Sequence, residues 1–480
     1  MKVLSFAPAY LVPMVATLLG IYVLTRILPP EQYGAYAFVI SLVTLGQAAL
    51  FSWLDIGTKR FHERLKASGQ SAVLNMTVYL GMGVSTVILL LVCVVGFELL
   101  PFDEALVPLL WIGAAVTVAR QLAQVSKMFE LAALSRTRYI AMECGESLIG
   151  TASGLALCWY AGFGGAGILW GMLAGAVTVV LFDLPRTLAR LRGGRFDPAL
   201  QRQIMTFSTP IAACFLLEYV MASSDRLLVQ YFLGADALGL YAVSYSIAER
   251  AVTAAFLAVA VASYPLLVRA FEREGPEAAR SQALSNAEIL VAVALPAWGG
   301  FTVAAQHIAV VIVGPDYSAK AAQLMPLIGF AILLHAMRAH YFAHALHLTG
   351  NTVGLLLGAL PAALVNVALN LWLMPSFGLV GAAWASIIAY SLALLVSVWQ
   401  ARRQFAMPFP LRETCKAAGA TGMMCLVLHA LHFPTTAAGL LGLIATGGAA
   451  YLAMVAAFDI GGLRSKAMIL RRRLTVRPVG

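Results

Sequence analysis

Arg26-Ile-Leu-Pro-Pro-Glu-Gln-Tyr-Gly-Ala-Tyr-Ala-Phe-Val-Ile-Ser41 returns in outline as Tyr231-Phe-Leu-Gly-Ala-Asp-Ala-Leu-Gly-Leu-Tyr-Ala-Val-Ser-Tyr-Ser246. Leu28, Gly34, Tyr36, Ala37 and Ser41 meet Leu233, Gly239, Tyr241, Ala242 and Ser246, and Glu31 meets Asp236. A second echo lies near the far end of each half: Phe163-Gly164-Gly-Ala-Gly167-Ile-Leu-Trp170 matches Phe377-Gly378-Leu-Val-Gly381-Ala-Ala-Trp384. Two matches in register point to a duplicated unit, with each half holding six spans. Six is even, so both halves enter the bilayer in the same sense, the parallel arrangement in which a transport path lies between them. A tight turn followed by small residues for close helix packing would explain the second match alone.

The surrounding chain fits a bilayer. Of its 480 residues 61% are hydrophobic and 11% charged, where soluble domains carry roughly 25% charge. Apolar runs of about 20 residues, split by short polar or Pro/Gly breaks, match helices crossing a core roughly 30 Å thick. The expected fold is an all-α integral membrane protein of about 14 helices. Six spans fall between residues 8 and 184, six between 208 and 400, and two near 414–432 and 436–458. The expected units are therefore an N-terminal lobe at 1–200, a C-terminal lobe at 201–405, two extra spans within 406–460 and a basic tail at 461–480.

Basic residues set the orientation, because cytoplasmic flanks carry the excess. Alternate breaks hold Lys59, Arg60, Arg64 and Lys66, then Lys127, Arg136 and Arg138, then Arg186, Arg190, Arg192, Arg195 and Arg202. Later breaks on that side add Arg269, Arg273, Arg280, Arg402, Arg403, Arg412 and Lys416, and the tail adds Arg464 to Arg477. Both termini are expected in the cytoplasm. The net charge of +10 is dispersed over short loops, which argues for topology and anionic lipid rather than nucleic acid. Met-Lys-Val before an apolar run is read as the start of span one, since no cleavage site follows. Six isolated cysteines without Cys-x-x-Cys spacing read as small core residues, with no disulfide framework or metal site.

Several further features carry a resemblance: Asp225-Arg226-Leu-Leu-Val, Asn366 to Asn370, Pro375-Ser-Phe-Gly378 and Gly381-Ala-Ala-Trp384, added to the two repeats. With them the chain resembles the multidrug/oligosaccharidyl-lipid/polysaccharide (MOP) exporter superfamily, and within it the polysaccharide transport, or Wzx-type, flippases. The resemblance implies a V-shaped, two-lobed bundle plus two C-terminal helices. It implies flipping of a polyprenyl-pyrophosphate-linked oligosaccharide between leaflets of a bacterial inner membrane, for exopolysaccharide, O-antigen or capsule export. Lipid-linked oligosaccharide, membrane lipids and a polysaccharide polymerase or export machinery are the implied partners; no cofactor is implied.

Charge within a span costs at least about 2.5 to 3.5 kcal/mol, so such residues face a partner or a wet cavity. Arginine suits a pyrophosphate, since its planar fork binds phosphate bidentately and stays charged. The candidate pyrophosphate guides are Arg26, Arg60, Arg226, Arg250 and Arg338, and the candidates for ion pairing or ion coupling are Asp55, Glu218, Asp225 and Glu249. Structural ion pairing or interfacial snorkelling would explain the same residues. Glu143 and Glu146 read as a solvated helix face. His340, His344 and His347 share a face at i, i+4, i+7 and read as interfacial rather than metal-binding. Asn366 and Asn370, one turn apart, read as glue between helices. Trp53, Tyr219, Tyr241, Tyr245 and Trp384 would stack on a glycan or fill the bundle.

No Gly-x-x-x-x-Gly-Lys-Ser/Thr loop is present, so the chain is not expected to hydrolyse ATP by the usual phosphate-cradling route. Two rivals to the flippase are a multidrug cation antiporter, whose cavity should be neutral or acidic, and a membrane polymerase or glycosyltransferase. The latter usually places catalytic acids on large extramembrane loops, often as Asp-x-Asp, which is absent from this sequence.

Overall fold

The computed structural model describes residues 7–99 and 103–462. The basic tail expected at 464 to 477 lies outside them. The described chain is helical throughout, as bilayer solvation requires: lipid supplies no partner for backbone N–H and C=O groups, and a helix satisfies them within itself.

The helices in chain order are α1 (Ala7–Ile27), α2 (Pro30–Leu50), α3 (Ser52–Ala67), α4 (Ser71–Leu99), α5 (Val107–Ala132), α6 (Arg136–Tyr160) and α7 (Gly164–Leu191). They continue as α8 (Pro198–Arg273), α9 (Pro276–Ile312), α10 (Pro315–Met337), α11 (His344–Thr349), α12 (Thr352–Gln404), α13 (Leu411–Ala430) and α14 (Ala437–Phe458). Proline opens α2, α9 and α10, where its missing N–H is no loss. The side chains of Asn351 and Thr436 cap α12 and α14 by accepting from Gly354 and Gly439 amides. A one-residue break at Phe51 divides α2 from α3, and a π-turn at Arg338–Phe342 divides α10 from α11.

Both α8 and α12 are hairpins rather than single rods. At 76 residues a straight α8 would run roughly 114 Å, far beyond a bilayer. Gly234 instead takes φ 84° and ψ 177°, a conformation open to glycine. The chain turns back there, so that the Tyr241 hydroxyl donates to Asp225 Oδ2 at 3.0 Å; along an unbroken helix those residues would stand about 24 Å apart. Gly378, at φ 57° and ψ −139°, reverses α12 in the same way, and Gly164, its match in the first half, also has positive φ. With each hairpin taken as two helices, and α2/α3 and α10/α11 as one each, the described residues hold the 14 helical runs expected.

Nine described helices are long and apolar enough to cross a membrane, and two of these are the double-length hairpins. The helices that fall outside this set are α3, α5, α6 and α13. Polar residues of α5 and α6 pair with one another and with neighbouring helices, as the site below shows.

The chain divides into two compact units, one of residues through Ala242 with Ala363–Ala382, the other of Val243–Ala362 with the chain from Ala383 on. Within the first unit the α6 and α7 backbones approach closely. Gly150 and Gly154 on α6 face Gly167, Gly171 and Gly175 on α7, and a Cβ on Gly171 would collide with the Gly154 backbone. These are two i, i+4 glycine ladders, the small-residue device that holds helices together where lipid supplies no hydrophobic drive. The first unit also holds the two copies of the opening repeat in reciprocal contact: a Cβ on Gly34 would strike the Ala235 carbonyl, and one on Gly239 the Pro30 carbonyl. Within the second unit α9, α13 and α14 share a core of Met424, Leu428, Leu443 and Val455, and Tyr451 donates to the Ala292 carbonyl at 2.7 Å.

Replacing Gly171 with Val should lower stability by about 1–3 kcal/mol, the usual cost of overpacking. Gly83→Ala, on an open face of α4 with nothing within 4 Å, should be neutral or slightly stabilising. Denaturation midpoints of the purified protein in detergent check both.

Candidate functional site

The first unit buries an unusual amount of charge, in two neighbouring layers along α5. In the first, Lys127 is 5% exposed and its Nζ bridges Glu143 Oε1 at 3.1 Å and Glu146 Oε2 at 2.9 Å. Arg120 Nε reaches Glu146 Oε1 at 3.5 Å. On the opposite wall Gln121 donates to Asp55 Oδ1 of α3 at 3.2 Å. These groups line a cavity of about 220 Å³, with Thr44 and Gln47 of α2 and Tyr219 of α8 at its edges. The lining carries two cations, Arg120 and Lys127, and two carboxylates, Asp55 and Glu146, so its formal charge is balanced.

The second layer lies one to two turns further along the same helices. Glu130 and Asp183 are 1% and 0% exposed, and three arginines enclose them. Arg138 pairs with Asp183 at 3.0 Å and Glu130 at 3.7 Å. Arg190 pairs with Asp183 at 2.7 Å and also with Glu130, and Arg186 reaches Glu130 at 3.2 Å. Asn75 of α4 donates to the Arg190 carbonyl at 3.3 Å, which joins a fourth helix to the set. Burying a carboxylate costs several kcal/mol unless partners recover it; here each acid has at least two.

These layers correct three expectations. Glu143 and Glu146 are partners of a buried lysine, not a solvated face. Lys127 lies inside α5, which runs on to Ala132, instead of in a loop. Arg186 and Arg190 belong to α7 and hold acids within the unit, where a loop role in topology had been expected. Their sequence signal was present: Arg120, Gln124 and Lys127 stand at i, i+4, i+7, one stripe of a helix.

A third polar group occupies the α8 hairpin. Asp225 is 1% exposed; it accepts from Tyr241 at 3.0 Å and from Asn370 Nδ2 at 2.7 Å. Ser224 donates to Asn366 Oδ1 at 2.9 Å. Asn366 and Asn370, both fully buried, thus tie α12 to α8, the glue role that their one-turn spacing suggested.

The remaining sequence candidates are dispersed. Arg26 is exposed at the last turn of α1; its Nη1 donates to the Tyr22 carbonyl at 2.7 Å and its guanidinium lies 3.8 Å from the Tyr22 ring centroid. Arg60, also exposed, lies 5.4 Å from the Phe207 ring. Glu218 and Arg226 are half-buried on α8 in the first unit. Glu249 and Arg250 are half-buried in the second, where Arg338 is 4% exposed at the head of the π-turn. His344 and His347 sit with ring centroids 6.4 Å apart beside Tyr264. Among the described residues no group of three or more His, Cys, Asp or Glu side chains forms a metal-holding cluster. Of the cysteines expected in the core, Cys158 is buried and Cys415 is exposed.

The family signature described as "Polysaccharide biosynthesis protein" matches residues 23–322, spanning both copies of the opening repeat and both ionic layers. The chain belongs to this family. Its members' fold can be compared with solved structures. The family chain is similar to the lipid II flippase MurJ in an inward closed conformation, with a TM-score of 0.76 at 12% identity, covering 94% of this chain and 98% of that one. It is similar also to an inward-facing multidrug resistance MATE transporter of the MOP superfamily, with a TM-score of 0.67 at 12% identity over 84% of this chain and 98% of that one. A MOP transporter from Pyrococcus furiosus gives 0.57 at 13% identity over 84% and 95%. At such identities the likeness is one of fold. No curated protein gives a sequence match. This polysaccharide biosynthesis protein is thus a multi-pass membrane protein with the MOP transporter fold.

Asp183→Ala should destabilise the protein by about 3–5 kcal/mol, because two arginines lose a buried partner. Arg186→Ala, removing a side chain 52% exposed, should cost less than about 1 kcal/mol. Unfolding followed by tryptophan fluorescence in detergent separates the two.

Proposed function

We propose that this protein flips a polyprenyl-pyrophosphate-linked oligosaccharide from the inner to the outer leaflet of a bacterial cytoplasmic membrane, supplying exopolysaccharide, O-antigen or capsule export. The family match over residues 23–322 carries the proposal. The fold is shared by flippases and drug transporters alike, so it supports transport without choosing the cargo; the family description favours a polysaccharide precursor. A polymerase or glycosyltransferase role finds less support, since the acids Glu130, Glu143, Glu146 and Asp183 are committed to basic partners within helices. The protein acts without catalysing a covalent step.

In this reading the chain is a duplication of six helices, with lobes at 1–200 and 201–405, two further helices within 406–460 and a basic cytoplasmic tail at 461–480. The reciprocal contacts of Gly34 with Ala235 and of Gly239 with Pro30 support it, because residues matched in the repeat exchange places across the contact. Rocking of such halves would expose the cargo to each side in turn. Arg26 would guide the pyrophosphate: it is a cation at a helix end whose planar group is already oriented by Tyr22. Arg60, Arg226, Arg250 and Arg338 are the further guides proposed. Among Asp55, Glu218, Asp225 and Glu249, Asp225 is the favoured coupling group, since it is a carboxylate buried in the α8 hairpin and hydrogen-bonded to Tyr241 and to Asn370 of α12. Outward movement of each negative charge would gain about 2.3 kcal/mol per 100 mV.

A strain lacking this gene should accumulate glycan-bearing lipid on the cytoplasmic face, and the wild-type gene should clear it. Arg26→Ala and Asp225→Asn should each fail to restore export while the protein still reaches the membrane. Full export with Arg26→Ala would remove that residue from the pyrophosphate path, and unchanged glycan levels in the deletion strain would defeat the flippase reading.

A further inference from the structure

The cavity beside Asp55 has a composition that the pyrophosphate role does not explain. A site for a bare anion should hold cations in excess, yet both cations here are answered by acids. Lys127 is shared between Glu143 and Glu146, Arg120 lies against Glu146, and Asp55 accepts from Gln121. No cation is left over to attract an anion.

What remains is neutral hydrogen-bonding capacity. Gln47 and Gln124 line the cavity, and their amides make no hydrogen bond to other described residues. Each amide offers two N–H donors and a carbonyl acceptor. The Thr44 and Ser52 hydroxyls donate to the Ile40 and Ala48 carbonyls of α2, which leaves their oxygens as acceptors facing the space. At its edge Tyr219, 41% exposed, presents an aromatic face. Alternating neutral donors and acceptors with one apolar wall complement a ring bearing adjacent hydroxyls and C–H groups. Ligand pockets usually hold about 300–1,000 Å³, so a cavity of about 220 Å³ takes a single ring rather than a whole oligosaccharide.

We propose that the cavity between α2, α3, α5 and α6 binds one neutral sugar residue of the lipid-linked glycan, with the Gln47 and Gln124 amides as its hydrogen-bonding groups and Tyr219 as its stacking face. The site then reads cargo identity, while pyrophosphate recognition lies elsewhere. The paired charges around it serve as a rigid frame for the cavity walls, and the pairing of both cations with acids keeps the pocket from retaining inorganic anions. This inference rests on the flippase reading and adds to it the substrate group that the first unit would recognise.

The test is binding by the purified full-length protein in nanodiscs. The probes are a short polyprenyl pyrophosphate without sugar and the same lipid bearing a single glucose, galactose or N-acetylglucosamine. Wild type should bind at least one sugar-bearing lipid more tightly than the bare lipid. The Gln47→Leu/Gln124→Leu variant should lose roughly tenfold in affinity for that lipid, the loss expected of two neutral hydrogen bonds, and should hold the bare lipid as wild type does. Tyr219→Ala should weaken the same sugar increment, and Tyr219→Phe should keep it. Because the two amides bond to no other described residue, the double variant should melt with wild type; a lowered midpoint would mean that they support the fold and would overturn the assignment. Equal binding of bare and sugar-bearing lipids by wild type, or an undiminished increment in the double variant, overturns the sugar site and leaves the flippase standing. Failure to bind any of the four lipids overturns both.

Discussion

Charge that must be kept from lipid organises the first unit. Glu130 and Asp183 would each cost several kcal/mol if buried alone, and they are buried almost completely. Arg138, Arg186 and Arg190 answer them from α6 and α7, which fixes the rotation of three helices about their own axes. With those rotations set, the stripe of α5 that carries Arg120, Gln124 and Lys127 must face inward. The polar cavity follows from that placement.

Close backbone approach makes the arrangement possible. The α6 and α7 glycine ladders bring the helices near enough for a Cβ on Gly175 to collide with the Glu146 carbonyl. Larger residues there would part the helices and open the distances on which the Lys127 bridge depends. Packing and electrostatics are thus one constraint: small residues set the spacing, and the ion pairs set the angle. The α8 hairpin adds a second polar tie between helices, where Asn366, Asn370 and Tyr241 hold Ser224 and Asp225.

Function inherits the division between these neighbourhoods. A balanced, amide-rich cavity, a buried hydrogen-bonded carboxylate and an exposed arginine at a helix end are three chemically different sites. A cargo that joins a sugar, a pyrophosphate and an apolar chain has matching parts. Under the proposed function, the local chemistry distributes the parts of that cargo among residues.

Much of the fold was legible in the residues themselves. Apolar run length determined that the chain is helical and spans a membrane, and the repeats at Gly34/Gly239 and Gly164/Gly378 marked positions where backbones meet or turn. The spacing of Asn366 and Asn370 also announced a helix contact. These are local signals, set by hydropathy and by the conformations that a residue without a Cβ allows. The pairing of charges was not local. Glu130 and Arg190 lie 60 residues apart, and nothing near either one tells which way its helix is turned. Loop charge therefore looked like topology, and Glu143 and Glu146 looked solvated. Only tertiary packing settled which polar face met another polar face, because the energy of an ion pair depends on a distance between helices that no stretch of sequence contains.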